Sequence, residues 1–140
     1  MQVKVKKLHE DAIIPFKAHK SDAGFDLFAV KDTIIWPFGK KKVETGIAIE
    51  LPPGYELQVR PRSGLSLKTN TLVIFGTVDS GYRGEIGIIM TNIGNREFYV
   101  NKGDKIAQAV IQKIPDIELV EADELDDGER QESGFGSTGV

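Results

Sequence analysis

The sequence predicts an all-β fold, a jelly-roll-like β-sandwich or barrel with a flexible C-terminal tail. Apolar and polar residues alternate in several short segments, and turn-forming residues separate these segments at short intervals. No segment shows a sustained apolar stripe at helical spacing. Many short strands with regular turns are typical of sandwiches and jelly rolls.

The predicted strands cover 3–7, 42–50, 55–60, 84–92 and 105–113. The alternation is clearest in "YELQVR" at 55–60, and the segment at 84–92 is rich in isoleucine. Turns are predicted at 36–40, 51–55, 92–95 and 101–104, where proline, glycine and asparagine cluster. Only "SGLSLK" at 63–68 predicts a short helix, which the hydroxyl of Ser63 would cap.

The length and composition predict one domain. The chain has 140 residues, of which 40% are hydrophobic, and this is ordinary for a globular protein. We expect a β jelly-roll domain at 1–120, followed by a linker and C-terminal flap at 121–140, because the chain becomes acidic and polar there. The net charge of -3 gives no reason to expect nucleic-acid or membrane binding.

The residue types that are missing also restrict the function. The chain has no cysteine, which excludes disulfides and thiolate metal sites. Its two histidines, His9 and His19, stand in unrelated contexts and are expected at the surface. Residues 1–20 lack the apolar segment of a signal peptide, and no apolar run reaches membrane-spanning length. A cytoplasmic location is therefore expected.

The segment "VDSGYRGE" at 78–85 lies between two strand-like runs and is expected to form a hairpin tip or tight loop. Aspartate and glycine favour turns for backbone reasons alone, so turn formation is one sufficient explanation. The alternative is chemical: Asp79 can act as a general base on water, and Tyr82 can pack against a sugar or base.

Three further segments hold candidate site residues. In "RPRSG" at 60–64, Arg62 and the backbone around Ser63 could bind an anion, or could simply form a capped turn. Asp26 lies between apolar residues, so its carboxylate should be paired, with an arginine as the expected partner. Gln108 lies among core-directed residues and should either tie loops together or meet a ligand.

The C-terminal tail, "GERQESGFGSTGV", cannot bury enough apolar surface to fold on its own. It is either a frayed terminus or a flap that orders over a ligand. The Walker pattern is absent, which argues against a P-loop nucleotidase. Arg130, Phe135, Ser137 and Thr138 supply a charge, a stacking ring and hydroxyls, which together match a nucleoside triphosphate.

Taken in order, five segments resemble the motifs of the homotrimeric deoxyuridine triphosphatase (dUTPase) family. They are "AGFDL" at 23–27, "PRSGL" at 61–65, "GTVDSGYRGE" at 76–85, "GDKIAQ" at 103–108 and "RQESGFGSTG" at 130–139. The resemblance implies a jelly-roll subunit and a trimer with active sites between subunits. It also implies Mg²⁺-assisted hydrolysis of dUTP to dUMP and pyrophosphate by water attack on the α-phosphate, which keeps uracil out of DNA and supplies dUMP for thymidylate synthesis.

The resemblance also implies a role for each matching residue. Asp79 would be the base that activates water, and Tyr82 would lie against the deoxyribose and exclude a 2′-hydroxyl. Asp26 would support the site from behind, and Phe135 would cover the uracil. The backbone at the following residues would read uracil: Gly76, Thr77, Val78, Asp79 and Gly87. The following residues would contact the phosphates: Arg62, Ser63, Gly64, Gln108, Arg130, Ser137 and Thr138. Gln108 and Arg130 would be catalytic residues together with Asp79, and Gly136 would also bind the substrate. Mg²⁺ would be held mainly by the substrate phosphates and water rather than by protein side chains.

Three positions depart from the family pattern: Phe75, Gly81 and Gln131. None of them removes a group with a chemical task. We therefore expect these departures to affect the motion of the flap and the shape of the rim of the base pocket rather than the activity. Two other functions remain open. One is deamination of dCTP on the same architecture, and the other is a regulatory role in which the nucleotide site controls binding of a protein partner.

Overall fold

The computed structural model describes residues 1–139. The elements in this range are β1 (Lys4–Lys7), β2 (Phe25–Phe28), β3 (Thr33–Ile35), β4 (Lys40–Glu44), β5 (Ile47–Glu50), β6 (Tyr55–Arg60), α1 (Ser63–Lys68), β7 (Thr71–Val73), β8 (Gly76–Val78), β9 (Gly87–Asn92), β10 (Phe98–Val100) and β11 (Lys105–Lys113). None of the described residues forms a helix long and apolar enough to cross a membrane.

The strands form four antiparallel sheets. Their strand orders are β2-β11-β6-β8, β4-β9-β7, β1-β5 and β10-β3. Strands that are distant in the sequence become neighbours, such as β2 and β11, and this is the pattern of a jelly-roll-like fold. The prediction of an all-β, jelly-roll-like fold is confirmed.

The core forms from inward-facing residues of all four sheets. Leu57 and Val59 of β6 are buried, and Ile88 and Met90 of β9 are buried with them, while Ile89 between those two is exposed. This is the period of two that a strand with one buried face requires. The core therefore holds β6 and β9, the strands on which the site described below depends.

The bounds of β6, β11 and α1 agree with the predicted segments at 55–60, 105–113 and 63–68. The predicted strand at 42–50 is instead two strands, which pair in different sheets. Gly46 separates them with a φ of 69°, a conformation that glycine adopts readily and other residues rarely adopt. His9 and His19 are exposed, as predicted.

The cap predicted for α1 needs correction, and of the two forms predicted for the segment at 78–85, a hairpin tip or a tight loop, the structure has the loop. The N-cap of α1 is Arg62, and no side chain makes a capping hydrogen bond, so Ser63 does not cap the helix. The segment after β8 is not the tip of a hairpin, because β8 pairs with β6 whereas β9 pairs with β4 and β7. This segment is a loop that passes from one sheet to another.

Candidate active site

The loop at residues 79–86 is held by its own hydrogen bonds. The Tyr82 amide donates to the Asp79 carbonyl over 3.1 Å, which closes a tight turn. The guanidinium of Arg83 donates to the carbonyls of Ser80 and Tyr82 over 2.6 and 3.0 Å. These bonds fix the turn that presents the Asp79 side chain, which is exposed to solvent.

A cavity of about 210 Å³ opens beside this loop. It is lined by Val59, Gly76, Thr77, Val78, Asp79, Tyr82, Glu85, Ile86 and Gly87. Six residues from the predicted site therefore come together here: Gly76, Thr77, Val78, Asp79, Tyr82 and Gly87. The sequence motifs did not indicate Val59 and Ile86 as part of this wall. A larger hollow of about 310 Å³ beside β1 has only apolar lining residues and offers no acid–base group.

The cavity lies where the pairing of β7 with β9 ends. The Ile74 amide still donates to the Ile89 carbonyl over 2.9 Å, just beyond the end of β7. Two residues later the chain has joined the other sheet, where Gly76 pairs with Val59. The two segments of the chain therefore separate between Gly76 and Gly87, and because these two lining residues are glycines, they can offer only main-chain atoms to the opening. Such groups can read the hydrogen-bonding edge of a planar base.

The ring of Tyr82 is fixed at the rim of this cavity. Its hydroxyl donates to the Glu85 carbonyl over 2.9 Å. A Cβ at Gly84 would overlap the Tyr82 ring and hydroxyl, so glycine allows the ring to lie against the loop backbone. Tyr82 nevertheless keeps 46% of its surface exposed, which leaves one side of the ring available to a ligand.

A second cluster surrounds Asp26. The Arg62 Nε lies 3.0 Å from Asp26 Oδ1, and the Lys105 Nζ lies 3.1 Å from Asp26 Oδ2. The Asp26 side chain is only 13% exposed, so the two cations offset the cost of burying its charge. The expected arginine partner is present. Lys105 was not predicted, although it lies within the "GDKIAQ" segment that drew attention to Gln108.

Gln108 joins this cluster from the centre of β11. Its position opposite both Asp26 and Arg60 places it between β2 and β6. The Gln108 Nε2 donates to the Pro61 carbonyl over 2.9 Å, so in this structure its amide ties the end of β6 to β11. Ser63 and Gly64 follow Pro61 as exposed residues at the start of α1.

The two clusters lie at opposite ends of the β6–β8 pair. From the paired residues Val59 and Gly76, β6 continues towards Arg62, while the antiparallel β8 continues the other way towards Asp79. None of the residues of the Asp26 cluster lines the cavity beside Asp79. Within this chain the Asp26 cluster and the Asp79 cavity are therefore two separate groups of predicted site residues.

The predicted flap residues contact neither cluster. Residues 112–133 and 135–139 are exposed, and Phe135 is fully exposed. The backbone hydrogen bonds of residues 128–139 join these residues only to one another. Arg130, Gly136, Ser137 and Thr138 are therefore exposed residues in a segment whose backbone hydrogen bonds are local.

We expect that Gly24→Ala disturbs the Asp26 cluster. An added Cβ at Gly24 would overlap the Gln108 side-chain amide and come within 3.1 Å of the Gln108 Cβ. Because the Gln108 amide would have to leave the Pro61 carbonyl, we expect a loss of about 2 kcal/mol in the free energy of unfolding. Urea denaturation measures this loss. Gly128→Ala is the matched control, since nothing lies within 4 Å of a Cβ there. An unchanged Gly24→Ala variant would show that Gln108 has room to move.

Comparisons with known proteins match nearly the whole chain, including the segments that form the cavity and the Asp26 cluster. The dUTPase family model matches residues 10–139. The deoxyuridine 5'-triphosphate nucleotidohydrolase of Hydrogenobaculum sp. (strain Y04AAS1) is 52% identical, and the match covers 100% of this chain and 99% of that protein. The enzyme of the same name from Clostridioides difficile is 53% identical, with 98% and 97% covered.

Solved structures with the same fold include two phage proteins. A variant of the Staphylococcus bacteriophage 80alpha dUTPase with dUpNHpp has a TM-score of 0.95 at 31% identity, covering 99% of both chains. A variant of the dUTPase from phage phi11 of S. aureus, described with a structural Mg(II) ion, has a TM-score of 0.85 at 30% identity, covering 89% of this chain and 98% of that one. The family match, the relatives at about half identity along nearly their full lengths and the shared fold show that this chain belongs to the dUTPase family.

Proposed function

We propose that this chain hydrolyses dUTP to dUMP and pyrophosphate, as a dUTP diphosphatase. The observation that carries the proposal is the cavity between Gly76 and Gly87, which these two glycines line together with Asp79 and Tyr82. Its volume of about 210 Å³ suits a pyrimidine base better than a whole nucleotide. The sugar and phosphates would then extend past the rim towards Asp79.

Asp79 is proposed as the general base. Its carboxylate would take a proton from a water molecule while the water oxygen forms a bond to the α-phosphorus. The bond from the α-phosphorus to the bridging oxygen breaks, and pyrophosphate leaves with that electron pair. Phosphoryl-transfer chemistry of this kind depends mainly on positioning and charge neutralisation. The tight turn from Asp79 to Tyr82 supports this role because it fixes the backbone that carries the carboxylate.

Uracil is proposed to be selected by main-chain hydrogen bonds. Cytosine presents a donor where uracil presents an acceptor, and a rigid backbone cannot adapt to both patterns. A buried mismatch leaves polar groups unpaired, and such a site can discriminate by about 10⁴-fold. Tyr82 is proposed to exclude ribonucleotides by lying against the deoxyribose, and its hydrogen bond to the Glu85 carbonyl, which fixes the ring, supports this role.

The complete site is proposed to form between subunits of a homotrimer. The Asp79 cavity and the Arg62–Gln108 cluster lie apart in one subunit, yet a triphosphate needs both a base pocket and cations. A neighbouring subunit would supply Arg62, Ser63, Gly64 and Gln108 to the phosphates. Asp26 would orient the Arg62 guanidinium through the ion pair already present.

The tail at 121–140 is proposed to be a flap separate from the domain at 1–120. The described residues of this tail make no hydrogen bond to the sheets, and all of them except Gly134 are exposed, which supports a tail that can reach another site. Phe135 would stack on the base, and Gly136, Ser137 and Thr138 would contact phosphate oxygens. Arg130 would approach the phosphates on closure, and closure would exclude bulk water.

Mg²⁺ is the proposed cofactor. Among residues 1–139 no three His, Cys, Asp or Glu side chains converge on a possible metal position. The oxygens of the substrate phosphates are hard ligands that fit Mg²⁺, which usually keeps several water ligands. When bound, the ion would neutralise phosphate charge and fix the geometry of the triphosphate chain.

A pyrophosphate-release assay across dUTP, dCTP, dTTP and UTP tests the proposal. We expect turnover of dUTP alone at an appreciable rate. Ammonia released from dCTP would instead identify a deaminase on the same architecture. If no nucleotide is turned over, then the regulatory role with a protein partner remains as the alternative. A cytoplasmic location stays a prediction.

A further inference from the structure

Thr45 lies between β4 and β5, outside the five motifs, and is 1% exposed. Its hydroxyl donates a hydrogen bond to the Ile86 carbonyl. The Ile86 amide in turn donates to the Ile47 carbonyl over 2.9 Å. The segment 45–47 therefore holds both backbone polar groups of Ile86, the last residue of the loop that carries Asp79 and Tyr82.

The bond to Ile86 determines where the next amide points. The Ile86 carbonyl and the Gly87 amide belong to one trans peptide, since the described residues contain no cis peptide bond. In a trans peptide the C=O and N–H groups point in opposite directions. With the carbonyl directed to Thr45, the Gly87 amide is directed away from Thr45, and Gly87 lines the cavity.

The pairing of β9 supports this direction independently. The Asn92 amide donates to Gly39 on the β4 side, and the Ile89 carbonyl accepts from Ile74 on the β7 side. Backbone groups of a strand alternate between its two neighbours, so Gly87 shares the β7 side with Ile89. There the chain of β7 has already turned away to Gly76, and the cavity takes its place.

The position of Thr45 is itself restricted. Gly46 follows it with a φ of 69°, and a Cβ at Gly46 would lie 2.9 Å from Val30 Cγ2 and 3.0 Å from Ala12 Cβ. The Gly46 carbonyl accepts from the Leu8 amide over 2.8 Å. On the other side of Thr45, the Glu44 carbonyl accepts from the Val30 amide over 2.9 Å. The backbone that carries the Thr45 hydroxyl is therefore fixed on both sides, so the hydroxyl is preorganised towards Ile86.

We propose that Thr45 is a positioning residue for base recognition, which acts by orienting the Ile86–Gly87 peptide so that its N–H faces a carbonyl oxygen of the bound base. The inference rests on the proposed function for the identity of the base. It assigns to a buried hydroxyl behind the cavity a share in selectivity, whereas the five motifs contain only residues at or around the cavity and the phosphates.

The test compares Thr45→Val with Thr45→Ser in the full chain. Calorimetry measures the Kd of dUMP, and competition with dUTP hydrolysis measures the Ki of inorganic tripolyphosphate, which has no base. For Thr45→Val we expect about tenfold weaker dUMP binding, the effect of one well-oriented hydrogen bond, with the tripolyphosphate Ki unchanged. Thr45→Ser keeps the hydroxyl and should bind dUMP within about threefold of the wild type.

Thr71→Val is the matched control, because Thr71 is also 1% exposed and its hydroxyl is hydrogen-bonded to the Thr69 hydroxyl over 2.6 Å, away from the cavity. It should lower the melting temperature without changing the Kd of dUMP. If Thr45→Val weakens dUMP and tripolyphosphate equally, or weakens neither, the proposed role of Thr45 is wrong. Should Thr45→Val fail to fold, Thr45→Cys, with a weaker donor, must bind dUMP more weakly than Thr45→Ser does, and equal binding overturns the proposal.

The same experiment separates this inference from the proposed function. A wild-type chain that binds dUMP but does not hydrolyse dUTP would contradict the activity, and the effect of Thr45→Val on dUMP binding would still decide the role of Thr45. A wild-type chain that hydrolyses dUTP, with dUMP binding unchanged in Thr45→Val, would contradict only the inference. A wild-type chain that does not bind dUMP at all would contradict both.

Discussion

Replacement of Asp79 by asparagine is expected to reduce kcat for dUTP by about 10³-fold, the usual contribution of a positioned general base. Asparagine has nearly the same shape and is also favoured in turns, so the Asp79–Tyr82 turn should persist. It cannot accept a proton from water at neutral pH. Because the base pocket consists of main chain, binding of the substrate should change little, and the effect should be confined to kcat.

Steady-state pyrophosphate release measures kcat, and calorimetry with the nonhydrolysable dUpNHpp measures binding. Asp116→Asn is the control, since it removes the same charge at an exposed position beyond β11. Full activity in the Asp79→Asn variant would remove the proposed base. A loss of dUpNHpp binding together with kcat would mean that the carboxylate shapes the pocket rather than the chemistry.

Truncation after Leu125 is expected to lower kcat/KM for dUTP by about 10³-fold, the lower end of the contribution of an arginine that approaches phosphates on closure. The missing residues include Arg130 and Phe135. The fold should be unaffected, because every described residue from 126 to 139 except Gly134 is exposed and this segment bonds only to itself. The melting temperature should therefore match that of the full chain.

Two point variants separate the contributions within the tail. Arg130→Ala should account for most of the loss in kcat, and Phe135→Ala should raise KM by about tenfold through the lost stacking on the base. Glu129→Ala is the neighbouring control and should be as active as the wild type. A truncated chain with the full rate would show that the tail is only a frayed terminus. A truncated chain that no longer folds would show that the tail has a structural role.

Longer strands were predicted from the sequence more accurately than short ones. Strand β6 shows an uninterrupted alternation over six residues, and its bounds were predicted correctly. Strands β3, β7 and β10 have three residues each, which is too few for a period of two to stand out. The division of β4 from β5 depends on the conformation of Gly46, which the apolar pattern does not report.

The candidate site was predictable in its parts but not in its arrangement. The motifs named the residues around the cavity and around Asp26, because acids and arginines in apolar or glycine-rich surroundings need an explanation. Their separation follows from the strand order β2-β11-β6-β8, which is a tertiary property. Thr45 gave no signal, since a single threonine before a glycine is unremarkable until the chain places it against Ile86.

The opening between Gly76 and Gly87 has a consequence for how specificity is inherited. Main-chain amides and carbonyls are common to all residue types, so most exchanges of side chains along β8 and β9 leave the proposed base-reading groups in place. A preference for uracil that depends on main-chain groups would be retained in distant relatives whose surface side chains differ. It would be lost when the course of the chain changes, through an insertion or deletion, and only rarely through the exchange of one residue for another.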